Sequence, residues 1–450
     1  MKVFGSSGTR GVANDELTPA FVMNVARAAG TFWGADRVAV ARDTRATGRM
    51  LANAAASGLA SVGSDVDRLG VVPTPGAQAY AEDEGVPAVM ITASHNPPEY
   101  NGVKLIGRAG VELAVDELER VENIFLGDQY EAVPWDETGD DRQVESARRR
   151  YVDQLMDAVD VEKIRDADLT VALDPGHGAG ALTSPEFYRK LGCRVVTVNS
   201  QPDGAFPGRN PEPVEENLTD LGRLVAASDA DVGIAHDGDA DRAIFFDESG
   251  TYVEGDAALA ALAAAEIDAG DTVVSAVNVS QRLVDACGAA DATLDLTPVG
   301  STRIMTRIRQ LQAEDASVPV AGEGNGGIIF PNYRLTRDGA YTGARFLELV
   351  ADASASDVVE PYAGYYNVRV NVGYESEAER EAVLAAAEEY ARDASADLTT
   401  VDGFRLDYGD AWVLARPSGT EPVVRVYAEA TSEERARELA DSFADALREA

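Results

Sequence analysis

The stretch VPAVMITASHNP, Val86 to Pro97, is an apolar run that stops abruptly at Thr92, Ser94, His95, Asn96 and a pair of prolines, Pro97 and Pro98. A run of this kind reads as a buried strand opening into a loop that cannot continue as helix. In open α/β sheets, ligands sit beyond the carboxyl ends of the strands. Ser94, beside an imidazole and an amide, therefore stands where chemistry usually occurs. The alternative reading of the stretch alone is a polar turn.

Working outward, the same plan recurs. The first unit opens with a Gly/Ser-rich turn, FGSSGTRG (Phe4 to Gly11), which places Arg10 in a donor-rich loop. A helix over Phe21 to Phe32, a strand RVAVARD, a helix over Arg49 to Val62 and a strand ending in VVPTPG precede the Ser94 strand. The second unit runs from LTVALD through PGHGAG to strand DVGIAHD, which releases HDGDADR, His236 to Arg242. The third runs from TVVSAVN to strand PVA, which opens into GEGNGG, Gly322 to Gly327. Three units of roughly 100 residues, the usual size of one domain, each place a polar loop after a late strand. The fold class is thus α/β: three similar mixed α/β domains, with a smaller C-terminal α+β domain beginning near Asn367. The expected boundaries are 1–149, 150–252, 253–365 and 366–450.

Asp and Glu number 77 against 39 Lys and Arg, a formal charge of −38, and only Lys2, Lys104, Lys163 and Lys190 are lysines. With 45% hydrophobic residues and no low-complexity acidic block, disorder does not explain this excess. Self-repulsion of this size needs counterion screening, and at molar salt the Debye length shrinks to roughly 3 Å. A halophilic protein is expected. Nucleic acid and anionic lipid should be repelled and are not expected partners. Cys193 and Cys287 sit in apolar segments as small core residues. No apolar leader or membrane span is present in the sequence, so a cytoplasmic protein is expected.

Asp237, Asp239 and Asp241 alternate along a loop that Gly238 and Ala240 allow to curl. Alternate carboxylates can converge on a hard cation such as Mg²⁺; a solvated acidic turn is the alternative. Glu248 falls where an EF-hand would place its last ligand, but Arg242 occupies the position that needs glycine and AIFF reads as strand. RPSGTEP, Arg416 to Pro422, with Arg425 beyond, combines two guanidiniums, the hydroxyls of Ser418 and Thr420, and Gly419. That mixture suits a phosphate; a plain turn is the alternative. Lys104 is informative by its rarity, as a compact titratable ammonium that Arg cannot supply. Glu323 and Asn325 pair a carboxylate with an amide, which suits sugar hydroxyls.

Taken together and in order, FGSSGTRG, TASHNPPEYNGVK, DGDADR, GEGNGG and RPSGTEP resemble the α-D-phosphohexomutase family of phosphoglucomutases, phosphomannomutases and phosphoglucosamine mutases. The resemblance implies four domains around one central cleft and phosphorylation of Ser94. It implies that Ser94, Asp237, Asp239 and Asp241 hold Mg²⁺. It further implies that Arg242, Glu323, Asn325, Arg416, Ser418, Gly419, Thr420 and Arg425 bind substrate, with Arg10 and Lys104 neutralising the moving phosphoryl group. The implied reaction interconverts hexose 6-phosphate and hexose 1-phosphate through a bound hexose 1,6-bisphosphate, which also serves as activator. Partners are then small-molecule sugar phosphates, and the chain is expected as a monomer or homodimer. Two departures stand out: Gly327 where many members have histidine, and Arg209-Asn210-Pro211 where members often have His-His-Pro. Lys104 becomes the candidate for proton transfer, with His95 behind it. The GEGNGG form and the Arg-Asn pair resemble archaeal members assigned to phosphoglucosamine mutases, which favours glucosamine phosphate. The alternatives are glucose or mannose phosphates, or a non-catalytic sugar-phosphate-binding protein.

Overall fold

The structure, a computed structural model, describes residues 4–5, 8–418 and 422–450. Four sheets follow one another along the chain. The first holds β1 (Thr9–Val12), β2 (Arg37–Arg42), β3 (Asp65–Val71), β4 (Ala88–Ile91), β5 (Tyr100–Ile106) and β6 (Asp141–Gln143), in the order β1-β5-β4-β2-β3-β6. The second holds β7 (Thr170–Asp174), β8 (Arg194–Thr197), β9 (Val232–Ala235), β10 (Ile244–Phe246) and β11 (Tyr252–Val253), ordered β11-β10-β9-β7-β8. The third holds β12 (Thr272–Ala276), β13 (Thr293–Thr297), β14 (Ala321–Glu323), β15 (Gly327–Phe330) and β16 (Arg334–Arg337), ordered β13-β12-β14-β15-β16.

These three sheets share one topology. In each, three parallel strands are followed by a strand that returns antiparallel beside the third: β4 to β5, β9 to β10, β14 to β15. The serine, aspartate and Glu-Asn loops all lie at that reversal. The three units are thus built alike, although their loops differ in sequence. The central strands are apolar and fully buried, β4 and β9 throughout, because helices cover both faces. Helix α1 (Pro19–Trp33) and helix α2 (Gly48–Ala60) pack so closely on the first sheet that a Cβ at Gly58 would lie 2.4 Å from the Met23 carbonyl oxygen. The fourth sheet is antiparallel and ordered β17-β21-β20-β19-β18, from β17 (Tyr366–Gly373), β18 (Asp397–Thr399), β19 (Phe404–Asp407), β20 (Ala411–Pro417) and β21 (Val423–Ala430). The helices Glu377–Asp393 and Glu433–Arg448 complete that unit.

The first and fourth units have cores of their own. The second and third share one: Tyr151, Phe187 and Phe245 join Leu259, Phe346 and Leu347 in a single cluster, and the Phe245 and Phe346 rings stack at 4.1 Å. Val277, Trp412 and Leu414 connect the third unit to the fourth, where buried Arg405 donates to the carbonyls of Val277 and Val279 at 2.7 and 3.0 Å.

Several expectations need correction. Arg10 lies on β1 opposite Gly102, so it is a strand residue, and Lys104 lies on β5 opposite Met90. The third parallel strand of the third unit starts later than expected, so Glu323 ends β14, and β20 likewise carries Arg416; Arg425 stands on β21, beyond the loop as expected. The cause is that polar residues continue the ladder past the apolar run: Glu323 and Arg416 extend strands into close antiparallel pairings, and Arg10 pairs with distant β5. Helix α3 (Thr74–Glu84) occupies a stretch read as strand end and turn, because Thr-Pro-Gly starts a helix as readily as a turn when Pro falls in its first turn. The strand Ile244–Phe246 after the aspartate loop excludes an EF-hand. Both cysteines are free and buried, with thiols that burial pushes up to about 12 for Cys193 and about 11 for Cys287. Among the described residues no helix is long and apolar enough to cross a membrane.

Candidate active site

The loop after β4 is held by an arginine. Arg45 is fully buried; its guanidinium donates to the carbonyl oxygens of Ser94 (2.8 Å), Asn96 (2.6 Å), Pro97 (2.6 Å) and Tyr100 (3.0 Å), and its Nε to Asp43 Oδ2 (3.0 Å). Asp43 also accepts from Thr92 Oγ1 at 2.7 Å, and Thr92 Oγ1 accepts from the Ser94 amide at 2.8 Å. This network fixes Ser94 with φ +52°, a left-handed backbone that a serine adopts only where its surroundings over-determine it. Ser94 Oγ donates to Asp237 Oδ2 at 2.6 Å. The hydroxyl is consequently buried beneath the loop and is not presented openly at the sheet edge, as its place after a strand suggests.

The aspartate loop meets the serine loop backbone to backbone: a Cβ at Gly238 would lie 2.6 Å from the Ser94 carbonyl oxygen. Asp237, Asp239 and Asp241 are all buried, with ligand atoms within 4.8 Å of one another. Lys104 Nζ bridges Asp239 Oδ2 (3.1 Å) and Asp241 Oδ2 (3.0 Å); Arg337 pairs with Asp241 Oδ2, and Thr74 Oγ1 donates to Asp239 Oδ2 at 2.6 Å. All of those bonds use the Oδ2 atoms. The Oδ1 atoms of Asp239 and Asp241 are buried without a hydrogen-bond partner. Burial, then the two neighbouring carboxylates, raise Asp237 to about 8. An all-oxygen donor set with orphaned, mutually repelling carboxylates fits a hard divalent cation.

Burial opposes the charge on Lys104, but Asp239, Asp241 and Glu112 outweigh it and raise the pKa, holding an ammonium. His95 is the reverse case: burial, then Arg242 and Arg10, lower it to about 2. Arg242 donates to His95 Nδ1 at 2.8 Å, so the neutral ring carries its hydrogen on Nε2. Lys104 in this arrangement neutralises charge and His95 donates from Nε2. Proton acceptance by either requires these contacts to break.

Next to the loops lies a cavity of 580 Å³, walled by Arg10, His95, Arg242, Glu323, Asn325 and Arg337 among others. Its wall comes from the first three units. Arg10 donates to Asn96 Oδ1 at 2.7 Å, and Asn325 Oδ1 accepts from the Gly327 amide at 3.0 Å. Arg416 pairs with Asp402 at 2.9 Å, does not line this cavity, and has its Nε buried without a partner. The Ser418 amide donates to the Val423 carbonyl at 2.9 Å. Gly419 and Thr420 lie outside the described residues.

Family models cover nearly the whole chain: "Phosphoglucomutase/phosphomannomutase, alpha/beta/alpha domain I" at residues 1–131, domain II at 149–250, domain III at 244–365 and the C-terminal domain at 366–446. The chain belongs to the phosphoglucomutase/phosphomannomutase family. It is similar to a phosphoglucomutase/phosphomannomutase of Thermococcus kodakarensis, with 40% identity over 100% of this chain and 99% of that one. It is similar also to a phosphoglucosamine/phosphogalactosamine mutase of Sulfurisphaera tokodaii, with 34% identity over 98% of each. Among solved structures, a phosphoglucomutase/phosphomannomutase family protein of Burkholderia thailandensis superposes with a TM-score of 0.85 at 27% identity, over 99% of this chain and 97% of that one. The chain is a mutase of this family, an isomerase.

Several residues of this mutase's site escape the sequence reading. Arg45 and Asp43 sit in RDTR, which reads as ordinary strand-end charge. Arg337 precedes Asp338, the N-cap of the helix Gly339–Val350. That capping aspartate is the one local signal that a charged side chain is fixed there. Thr74 hides at the start of α3, Glu212 reaches the cavity from a loop, and Ser301 reaches it from the start of the helix Ser301–Ala313.

Proposed function

We propose that this mutase interconverts a hexose 6-phosphate and a hexose 1-phosphate, with glucosamine phosphate preferred, by relaying a phosphoryl group through Ser94. The observation that carries the reading is the 2.6 Å bond from Ser94 Oγ to Asp237 Oδ2, at the meeting of a strained serine loop and a buried carboxylate triad. In the phosphorylated form, the bond from phosphorus to Ser94 Oγ breaks while one to a sugar hydroxyl oxygen forms, giving a bound 1,6-bisphosphate. The sugar then turns end for end, and its other phosphoryl group returns to Ser94.

Such transfers depend on positioning and charge neutralisation more than on covalent chemistry. Asp237, Asp239 and Asp241 would hold Mg²⁺, which supplies Lewis-acid neutralisation of the phosphoryl oxygens. Arg10 and Arg242 stand in the cavity wall to receive the same group, and Arg416 with its free Nε suits the phosphate that is not moving. Glu323 and Asn325 offer a carboxylate and an amide to the sugar hydroxyls. The proton lost by the sugar hydroxyl balances the one Ser94 Oγ gains on leaving; Lys104 Nζ, held as an ammonium by Asp239 and Asp241, is the proposed relay, giving its proton to the departing Oγ and taking up the hydroxyl's.

The names of the relatives divide between glucose or mannose phosphates and amino-sugar phosphates, so substrate preference rests on the GEGNGG form and the Arg209-Asn210 pair. Arg209 donates to Asp174 Oδ2 at 2.9 Å and to the His236 carbonyl at 2.6 Å, tying its loop to the aspartate loop. The test is turnover at high KCl on glucosamine, glucose and mannose phosphates with trace bisphosphate. Glucosamine phosphate as the poorest substrate would reverse the preference. Ser94→Ala should abolish turnover of all three, and phosphoserine should be detected at Ser94 of the wild type. Substantial turnover by the Ser94→Ala variant rejects the relay.

A further inference from the structure

The first unit contains a second cavity, of 570 Å³, which shares no wall residue with the catalytic one. It lies over the carboxyl ends of β2 and β3, between α2 and the edge strand β6. Its polar wall is Arg42, Arg49, Asn53, Arg68, Asp141 and Gln143. Gly70, at φ +72°, has no atom within 4 Å of the place a Cβ would take, so it leaves the cavity open at the end of β3.

Three guanidiniums around one cavity are unexpected in a chain with a formal charge of −38. Many arginines elsewhere in it meet carboxylates, as Arg37 does Glu84, Arg142 does Asp67 and Arg307 does Asp295. Arg68 follows that habit, bonding Asp141 Oδ2 at 2.5 Å and Asn53 Oδ1 at 2.9 Å. Arg42 does not: its Nη1 donates to the backbone carbonyl of Asp43 at 3.0 Å, while the Asp43 carboxylate is engaged by Arg45. Arg49 is exposed in the first turn of α2 and has no hydrogen bond or ion pair among the described residues. Burial disfavours the charge of Arg42; neighbouring Asp43 offsets this only in part, and Arg49 adds repulsion. Carboxylates are abundant in this chain, yet among the described residues of this wall Asp141 is the only one, and it is paired with Arg68. An external anion would relieve both penalties, and a phosphate matches the fork geometry of paired guanidiniums best.

We propose that this cavity binds a phosphate-bearing small molecule, its phosphate held between Arg42 and Arg49. Arg42 is followed directly by Asp43, whose carboxylate holds Arg45 under the Ser94 loop, so the ligand sits at the root of the segment that supports the serine.

Equilibrium dialysis of the full chain, with Mg²⁺ and at fixed KCl, against labelled inorganic phosphate and separately against labelled glucose 6-phosphate tests the assignment. With at least one probe the wild type should bind two equivalents. Arg49→Gln and the double variant Arg42→Gln/Arg49→Gln should weaken one of them by about tenfold or more, while turnover stays within about twofold, a tolerance set well below the loss expected of a damaged catalytic site. Arg416→Gln should weaken the other. Binding of inorganic phosphate identifies the phosphate group alone as the ligand feature, and binding of glucose 6-phosphate only assigns the site to a phosphorylated sugar. A single equivalent with both probes, or two equivalents undiminished in both arginine variants, overturns the proposal. Undiminished binding with an altered salt dependence of melting would assign the arginines to charge balance instead.

Discussion

Asp256 lies under the Glu-Asn loop: a Cβ on Gly324 would fall 2.1 Å from its Oδ1. Burial, then the nearby Glu429, raise its carboxyl to about 7, with Arg282 pulling the other way. An aspartate raised in the folded state contributes stability that is complete below its unfolded value, about 3.9, and is lost as pH rises through about 7. Asp256→Asn should therefore melt higher than wild type at pH 8, the gap closing toward pH 4; melting scans at fixed KCl check this, and a gap that widens on acidification contradicts it. Residue-scale features of this sort are the least legible in sequence. Ser94, the three aspartates and Glu323 were conspicuous because a distinctive polar group interrupts an apolar strand. Arg45, which holds four carbonyl oxygens of the serine loop, was not, since nothing within RDTR distinguishes a buried guanidinium from a solvated one.

At the scale of elements, the decisive fact is where each loop hangs. All three occupy the reversal from a third parallel strand to an antiparallel fourth, so one scaffold position supplies the serine, the carboxylate triad and the Glu-Asn pair. This much was legible, because apolar runs ending in polar clusters mark buried strands and their exits. The strands beside them were less so: β1 is short and pairs with β5 far along the chain, and β5 and β16 carry polar residues that read as loop. The loops also have to touch. The serine and aspartate loops approach so closely at Gly238 that a methyl group there collides with the Ser94 carbonyl. Gly238→Ala should displace one loop from the other and lower kcat by about 10²-fold, the cost of an ångström-scale misplacement, with the protein still folded by circular dichroism. Wild-type kcat in that variant would show that the loops separate freely.

For the whole molecule, charge and core organisation set the behaviour. An excess of 38 negative charges repels itself through any surface that lacks counterions. We propose adaptation to concentrated salt: the midpoint of urea unfolding should rise steadily from low to molar KCl, and a flat or falling midpoint rejects it. The shared cluster that runs from Tyr151 through Phe245 to Phe346 has a separate meaning for how the chain comes apart. Four sheets suggest four melting units, but the second and third cannot part without exposing each other's aromatic rings. Calorimetry should accordingly resolve the middle half of the chain as one cooperative transition, and a fragment spanning residues 150–365 should be obtainable in folded form where 150–252 alone aggregates. A chimaera of this fold should accordingly take its middle pair whole from one parent, and a chimaera split between 252 and 253 should melt lower than either parent.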